Sequence, residues 1–188
     1  TQSEAEQQEI CARWYQLSTF YPLARTNRDR GSSGIQIEPY DLPATNNYNM
    51  IAKLSVYDRY AYARFVYGCL FDMSTNGGTC FDPLLFHYPD VTKAYENIEN
   101  TFIVADILKV SPILEALSAN QTYQSFFPRG RWVDLDGYEV VEVTDPEGGM
   151  VDLTPTMTVK KHLKPGGIIP VQYNLTADGQ HLLANSTD

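Results

Sequence analysis

The chain has 188 residues, 43% of them hydrophobic and 20% charged, and a net charge of −9. That composition is globular, with room for one domain or two small units. The acidic balance argues against nucleic acid or an anionic membrane surface as the main partner, since both need a basic patch. No stretch approaches the ~20 apolar residues of a membrane span.

Ser3-Glu4-Ala5-Glu6 reads as a capping box, Ser at the N-cap and Glu three residues on. Ile10, Trp14 and Leu17 follow at helical spacing, with Cys11 beside them. The pattern predicts a helix over about Glu4–Leu17, with Trp14 in the core. Phe20, Tyr21 and Leu23 then form an apolar, β-prone run, which predicts a buried strand over about Thr19–Ala24. Residues 25–49 make a long irregular connection containing Gly31, Gly34, Pro39, Pro43 and three Asn, at 46, 47 and 49. A loop this long inside a compact domain is functional or disordered. From about Met50 to Met73 the pattern is helical. Between Val56 and Met73 the only charges are Asp58, Arg59, Arg64 and Asp72. A helix apolar nearly all round is a buried one. Asn76-Gly77-Gly78 ends it with C-cap chemistry.

Past Gly78 short β-prone runs alternate with turn signals. Strands are predicted at Leu84–Tyr88, Thr101–Val104, Ile107–Val110, Ser125–Phe127, Trp132–Leu135, Tyr138–Val143, Thr156–Lys160 and Ile168–Tyr173. Such spacing reads as an antiparallel sandwich. The boundary falls near residues 75–82, dividing the chain into 1–78 and 79–188. The helix–strand–helix piece in front is too small to bury itself and reads as a fragment of an α/β unit. Thr1 is not a natural start, so the chain reads as processed or partial.

Thirteen Tyr, eight Phe and two Trp make the chain rich in aromatics, which suit cores and sugar-binding clefts alike. For Trp14 and Trp132 the core is the reading adopted. Asn120, Asn174 and Asn185 each open an N-x-S/T triplet without Pro, and three together favour the secretory pathway. There an odd cysteine count is informative. Cys69 and Cys80 are close enough in sequence to pair with each other, leaving Cys11 to a partner outside this chain; the alternative is three buried thiols. His87, His162 and His181 show no ligand spacing, and no metal site is expected. Asp106 is expected in a tight turn.

Several segments in order carry a resemblance. Cys11-Ala12-Arg13-Trp14-Tyr15-Gln16-Leu17 resembles L-C-x-R-W-x-Q-L-G, and Phe20-Tyr21-Pro22-Leu23-Ala24-Arg25 resembles F-Y-P-F-x-R-N-H-N. Glu38-Pro39-Tyr40 resembles Q-E-P-Y, and Arg59-Tyr60 heads a helix similar to R-Y-x-L-L-P-Y-L-Y. Gly77-Gly78-Thr79 with Asp82-Pro83-Leu84 is similar to G-x-T-x-x-R-P-L. Residues 105–114 are similar to G-D-x-L-L-V-x-P-V-L, 127–135 to Y-F-P-x-G-x-W-Y-D-L, and 166–170 to R-G-G-x-I-P. These are patterns of glycoside hydrolase family 31, the α-glucosidase family. Single matches are weak; their number, order and spacing over about residues 10–172 identify the chain as resembling that family.

The resemblance implies a fold class of α/β plus all-β. Residues 4–74 would be the last helix–strand–helix of a (β/α)8 barrel, and 79–173 most of the antiparallel β-sandwich behind it. It also implies that Cys11 bonds to a Cys a little upstream. The family cleaves α-glucosidic bonds with retention, using two carboxylates about 5 Å apart. Both belong to barrel strands upstream of this chain, the nucleophile in a W-x-D-M-N-E-type motif that does not occur here. Asp72-Met73 lacks its Trp and Glu. No catalytic residue and no cofactor is therefore expected within these 188 residues. The end of the eighth strand faces the sugar. Asn27 stands where the family keeps a His on the sugar hydroxyls, and Arg25, just before it, pairs within the barrel or touches the substrate. Asn can donate and accept a hydrogen bond but cannot be a cation.

The expected function is the C-terminal portion of a secreted or lysosomal α-glucosidase-like hydrolase, acting on an α-glucoside with the N-terminal portion of the same enzyme as partner. The alternative, supported by Asn27, is a non-catalytic homologue with an extracellular structural or carbohydrate-binding role. A free-standing binding sandwich is disfavoured, because it would expose a buried-type helix.

Overall fold

The computed structural model describes residues 3–26, 38–96, 98–117 and 121–172. Helix α1 spans Glu4–Ser18. Its capping box is formed: the Ser3 hydroxyl accepts from the Glu6 N–H at 3.3 Å, and the Glu6 carboxylate accepts from the Ser3 N–H at 2.6 Å. The predicted second helix is two. Helix α2, Tyr48–Ala61, ends at Tyr62, which leaves the helical region (φ −92°, ψ 2°), and α3 runs from Ala63 to Asn76. Gly77 stops α3 at φ +78°, a conformation that suits glycine.

The strand expected at Thr19–Ala24 is absent: this stretch lies in no helix and no ladder. A barrel strand draws its hydrogen bonds from parallel neighbours, and none of the described strands lies beside it. Its buried anchor is nonetheless Phe20, packed edge-on against Tyr62 with ring centroids 5.2 Å apart.

The rest is antiparallel. The strands are β1 (Phe81–Asp82), β2 (Phe102–Val104), β3 (Leu108–Ser111), β4 (Tyr123–Phe127), β5 (Gly130–Asp134), β6 (Val140–Val143), β7 (Gly149–Leu153) and β8 (Lys160–Leu163). A six-stranded sheet has the order β1-β2-β3-β8-β5-β6, and β4 pairs with β7 in a two-stranded ribbon. A short helix, α4, covers Thr92–Glu96. The predicted strand at Leu84–Tyr88 is instead a 3₁₀ turn over Leu84–Phe86, started by Pro83. Thr156–Val159 forms no ladder, because the Thr156 and Thr158 hydroxyls bond to Asp136; the strand begins one step later, at Lys160. Residues 168–172 are also outside any strand.

Alternation along β3 puts the sheet between two layers. Leu108 and Val110 join Phe20, Tyr62, Phe65 and Val104 in a core against the helices. On the other face Ile103, Phe126, Phe127, Trp132 and Leu153 form a second core under the ribbon. Trp132 is fully buried, and its Nε1 donates to Pro128 O at 2.9 Å. Between the two sheets sits Lys109, also fully buried, whose Nζ donates to Ser111 Oγ (2.6 Å) and Ser125 Oγ (2.9 Å) and lies 3.7 Å from the Phe127 ring centre. Among the described residues no carboxylate is its partner. Burying an isolated ion costs several kcal/mol, whereas a ring face returns about 2 kcal/mol at most. Burial accordingly pushes the Lys109 ammonium well below its ordinary range.

Helices and sheet are tied at several points. Lys161 on β8 pairs with Asp58 on α2 (3.0 Å) and with Asp136 (2.6 Å). Gln16 on α1 donates to Thr156 O, and Gln172 N–H donates to Ala61 O. Cys69 on α3 forms a disulfide with Cys80, next to β1 (Cα–Cα 5.9 Å).

Candidate functional site

Helix α1 turns a mixed face toward the rest of the chain, Ala12 and Leu17 together with three polar residues. Glu9, Arg13 and Gln16 are buried: Arg13 pairs with Glu9 at 3.3 Å, and the Glu9 carboxylate accepts from Leu117 N–H. Trp14, expected in the core, is 52% exposed. It lines an open groove of about 820 Å³ that runs between α1, residues 17–26 and the facing sides of α2 and α3. Tyr60, Tyr67 and Leu70 form the opposite wall. Of the segment 50–73 read as buried nearly all round, α2 buries Ile51, Ala52 and Ala61, whereas α3 buries Phe65 and leaves Tyr67 and Phe71 more than 60% exposed. Its second apolar side meets no cover among the described residues.

Arg25 and Thr26 stand at this groove. The segment leading to them is held by side chains in place of a ladder. The Arg59 guanidinium donates to three carbonyls, Ser18 O (2.7 Å), Tyr21 O and Pro22 O (3.1 Å). Thr19 Oγ1 donates to Ser55 O on α2. Beyond Ala24, Thr26 Oγ1 donates to the Glu38 carboxylate at 3.2 Å, joining the two sides of the intervening loop. Burial, with the Glu38 charge adding, pushes the Cys11 thiol up. Burial also raises the Tyr15 hydroxyl, with Cys11 and Glu38 contributing. Both groups therefore stay protonated near neutrality. The described lining residues offer apolar contact, hydroxyls and two guanidiniums, and no carboxylate.

Of the residues singled out from sequence, Arg25 is exposed at the groove. Asn27, Asn120, Asn174 and Asn185 lie outside the described residues. Cys11 lies half-buried on the groove wall. Asp106 occupies the β2–β3 turn, where Ala105 and Asp106 both have φ near +55° and Ile107 N–H bonds to Val104 O. Sequence reasoning missed what His87 does. Its ring bridges two carboxylates, Nε2 to Asp82 at 2.8 Å and Nδ1 to Asp106 at 2.9 Å, and Lys164 bonds Asp106 from the other side. The contacts join the start of the sheet to its first hairpin, a proximity that linear spacing does not display. His87 and Asp106 line a smaller cavity of about 460 Å³ between α3 and the sheet. Among the described residues no cluster of His, Cys, Asp and Glu is arranged to hold a metal, and no helix is long and apolar enough to cross a membrane.

Comparison with known proteins fits this geometry. Residues 2–68 match the glycosyl hydrolases family 31 TIM-barrel domain, and residues 77–169 the glycosyl hydrolase family 31 C-terminal domain. A probable α-glucosidase of Oryza sativa is 28% identical over 165 residues, covering 88% of this chain and 18% of the relative. The lysosomal α-glucosidase of Bos taurus is 28% identical over 178 residues, with the same coverage of both chains. In structure, a family 31 dextranase of Flavobacterium johnsoniae, complexed with isomaltotriose, superposes with a TM-score of 0.71 at 24% identity, covering 86% of this chain and 19% of that one. The chain therefore spans about a fifth of the length of these relatives.

Proposed function

The chain belongs to glycoside hydrolase family 31, and from that premise we propose that it is the C-terminal portion of a retaining α-glucosidase-like enzyme, closing the catalytic barrel and forming one wall of the sugar site. The observation that carries this reading is the groove. Trp14, Tyr60, Tyr67 and Leu70 form an apolar trough that no described part of the chain fills, and exposed apolar surface of that size marks a docking face. The remainder of the same barrel is the occupant whose chemistry fits: apolar strands and helices, arriving at the side where Arg25 stands. That remainder would bring the two carboxylates that retaining hydrolysis needs. Arg25 and Asn27 would then offer hydrogen bonds to an α-glucoside. Secretion, to the cell exterior or a lysosome, and glycosylation at Asn120, Asn174 and Asn185 belong to the same proposal, supported by the sequons and by the Cys69–Cys80 disulfide.

A second reading rests on Asn27. With an amide where the family keeps an imidazole, the assembled protein would be a non-catalytic homologue that binds carbohydrate or serves a structural role. Hydrolysis of maltose and of a chromogenic α-glucoside by the full-length protein decides between them. Release of α-glucose is the expected result. Failure of the wild type, with activity appearing in Asn27→His, would establish the second reading instead.

A further inference from the structure

Lys109 has no part in the groove, yet it is a buried amine at the middle of the sandwich. On its own sheet it is paired with Ile103 of β2 and His162 of β8. Across the core it reaches Ser125 of β4, and Ser125 Oγ in turn bonds to Ser111 Oγ at 3.0 Å. The three polar atoms form a closed triangle that joins the six-stranded sheet to the ribbon. We propose that Lys109 is an acid-sensitive clasp: as a neutral amine it fastens the two sheets together, and protonation loosens them.

The surroundings favour the neutral form. The face of Phe127 recovers only part of the hydration an ammonium would lose. From β8, His162 is itself pulled down to about 3, chiefly by burial. Its Nδ1 has no hydrogen-bond partner among the described residues. From β5, the Asp134 carboxylate is engaged by Lys160 at 2.5 Å. Asp136, just past β5, is engaged by Lys161. From β4, the Tyr123 hydroxyl donates to Ser111 O, and burial raises it. Arg13 of α1, beyond Tyr123, pairs with Glu9. Strand β2 brings no titratable group against Lys109.

A base held neutral in the fold and charged when exposed makes stability rise with pH, from its lowered folded value up to the ordinary lysine range. His162 acts in the same direction, but only between about pH 3 and 6.5. Above that range, the slope that Lys109→Met removes belongs to Lys109. The test is hydrogen-exchange protection of residues 108–111 and 123–127 in the full-length protein, corrected for intrinsic exchange, in wild type and Lys109→Met. The wild-type opening constant is expected to rise about tenfold per pH unit lowered, relative to the variant. Parallel profiles would overturn the proposal. Nitrogen NMR of the Lys109 side chain in wild type gives a second reading that does not depend on the variant folding: a neutral amine at pH 7.5 is expected, and an ammonium there would overturn it.

Discussion

At Gly148 a single methyl group would have nowhere to go. The residue sits at φ +73°, and a Cβ would run into the Phe126 ring and lie 2.6 Å from Phe127 O. The left-handed backbone alone costs an alanine about 1 kcal/mol, and overpacking against a buried ring adds about 2 kcal/mol. Gly148→Ala is expected to destabilise the β-domain by about 3 kcal/mol, read from a chemical denaturation midpoint. The sequence showed the Pro-Glu-Gly-Gly turn, but it did not show the crowding, because Phe126 approaches from a strand more than twenty positions away. The same limit applies to Lys160, Lys161 and His162. Three basic residues do not read as a strand, yet Lys161 and His162 are buried there. For Lys161 that burial is made tolerable by carboxylates distant in sequence, Asp58 on α2 and Asp136 just past β5.

Segment 19–26 shows the problem for a whole element. Its β-prone composition was legible, and Phe20 is buried as expected, but a strand is a property of a pair and this one lacks neighbours among the described strands. Arg59 does the holding instead. Arg59→Met would release three carbonyls at once, and charged hydrogen bonds to backbone make the expected loss about 2 kcal/mol of local stability. Faster amide exchange over residues 18–24, with the sheet unaffected, is the expected readout; equal acceleration everywhere would show that Arg59 holds the whole fold. Helix α1 was legible to within a residue from its capping box and spacing. Which residues turned inward was legible only in part. Periodicity marks an apolar stripe without saying whether this chain supplies its cover, and here Leu17 of the stripe is buried, Trp14 is not, and Glu9, Arg13 and Gln16 share the interior contacts.

For the molecule as a whole, one of the ties between helices and sheet runs through Lys161. Burial pulls its ammonium down, but Asp58 and Asp136 outweigh that and leave it above its ordinary value. A raised lysine stabilises the fold fully below the ordinary lysine range and loses that contribution as pH climbs through the folded value. The helix–sheet junction is therefore expected to weaken above about pH 10.5, where Lys161→Met, already lacking the pair, would show a flatter profile in thermal melts. Removing one partner of a largely buried pair is expected to cost about 3 kcal/mol at neutral pH. The order of the two parts and the family resemblance were legible from spaced motifs. The ties between the parts were not, since each joins residues distant in sequence.

The Cys69–Cys80 disulfide brackets the stretch Asp72–Thr79, where α3 gives way to glycine and the sheet begins. A protease that cuts there would break the polypeptide without parting the molecule. Even in denaturant, with the shared core and the Lys161–Asp58 pair undone, the helical part and the sheet would travel as one species until a reductant reached that bond.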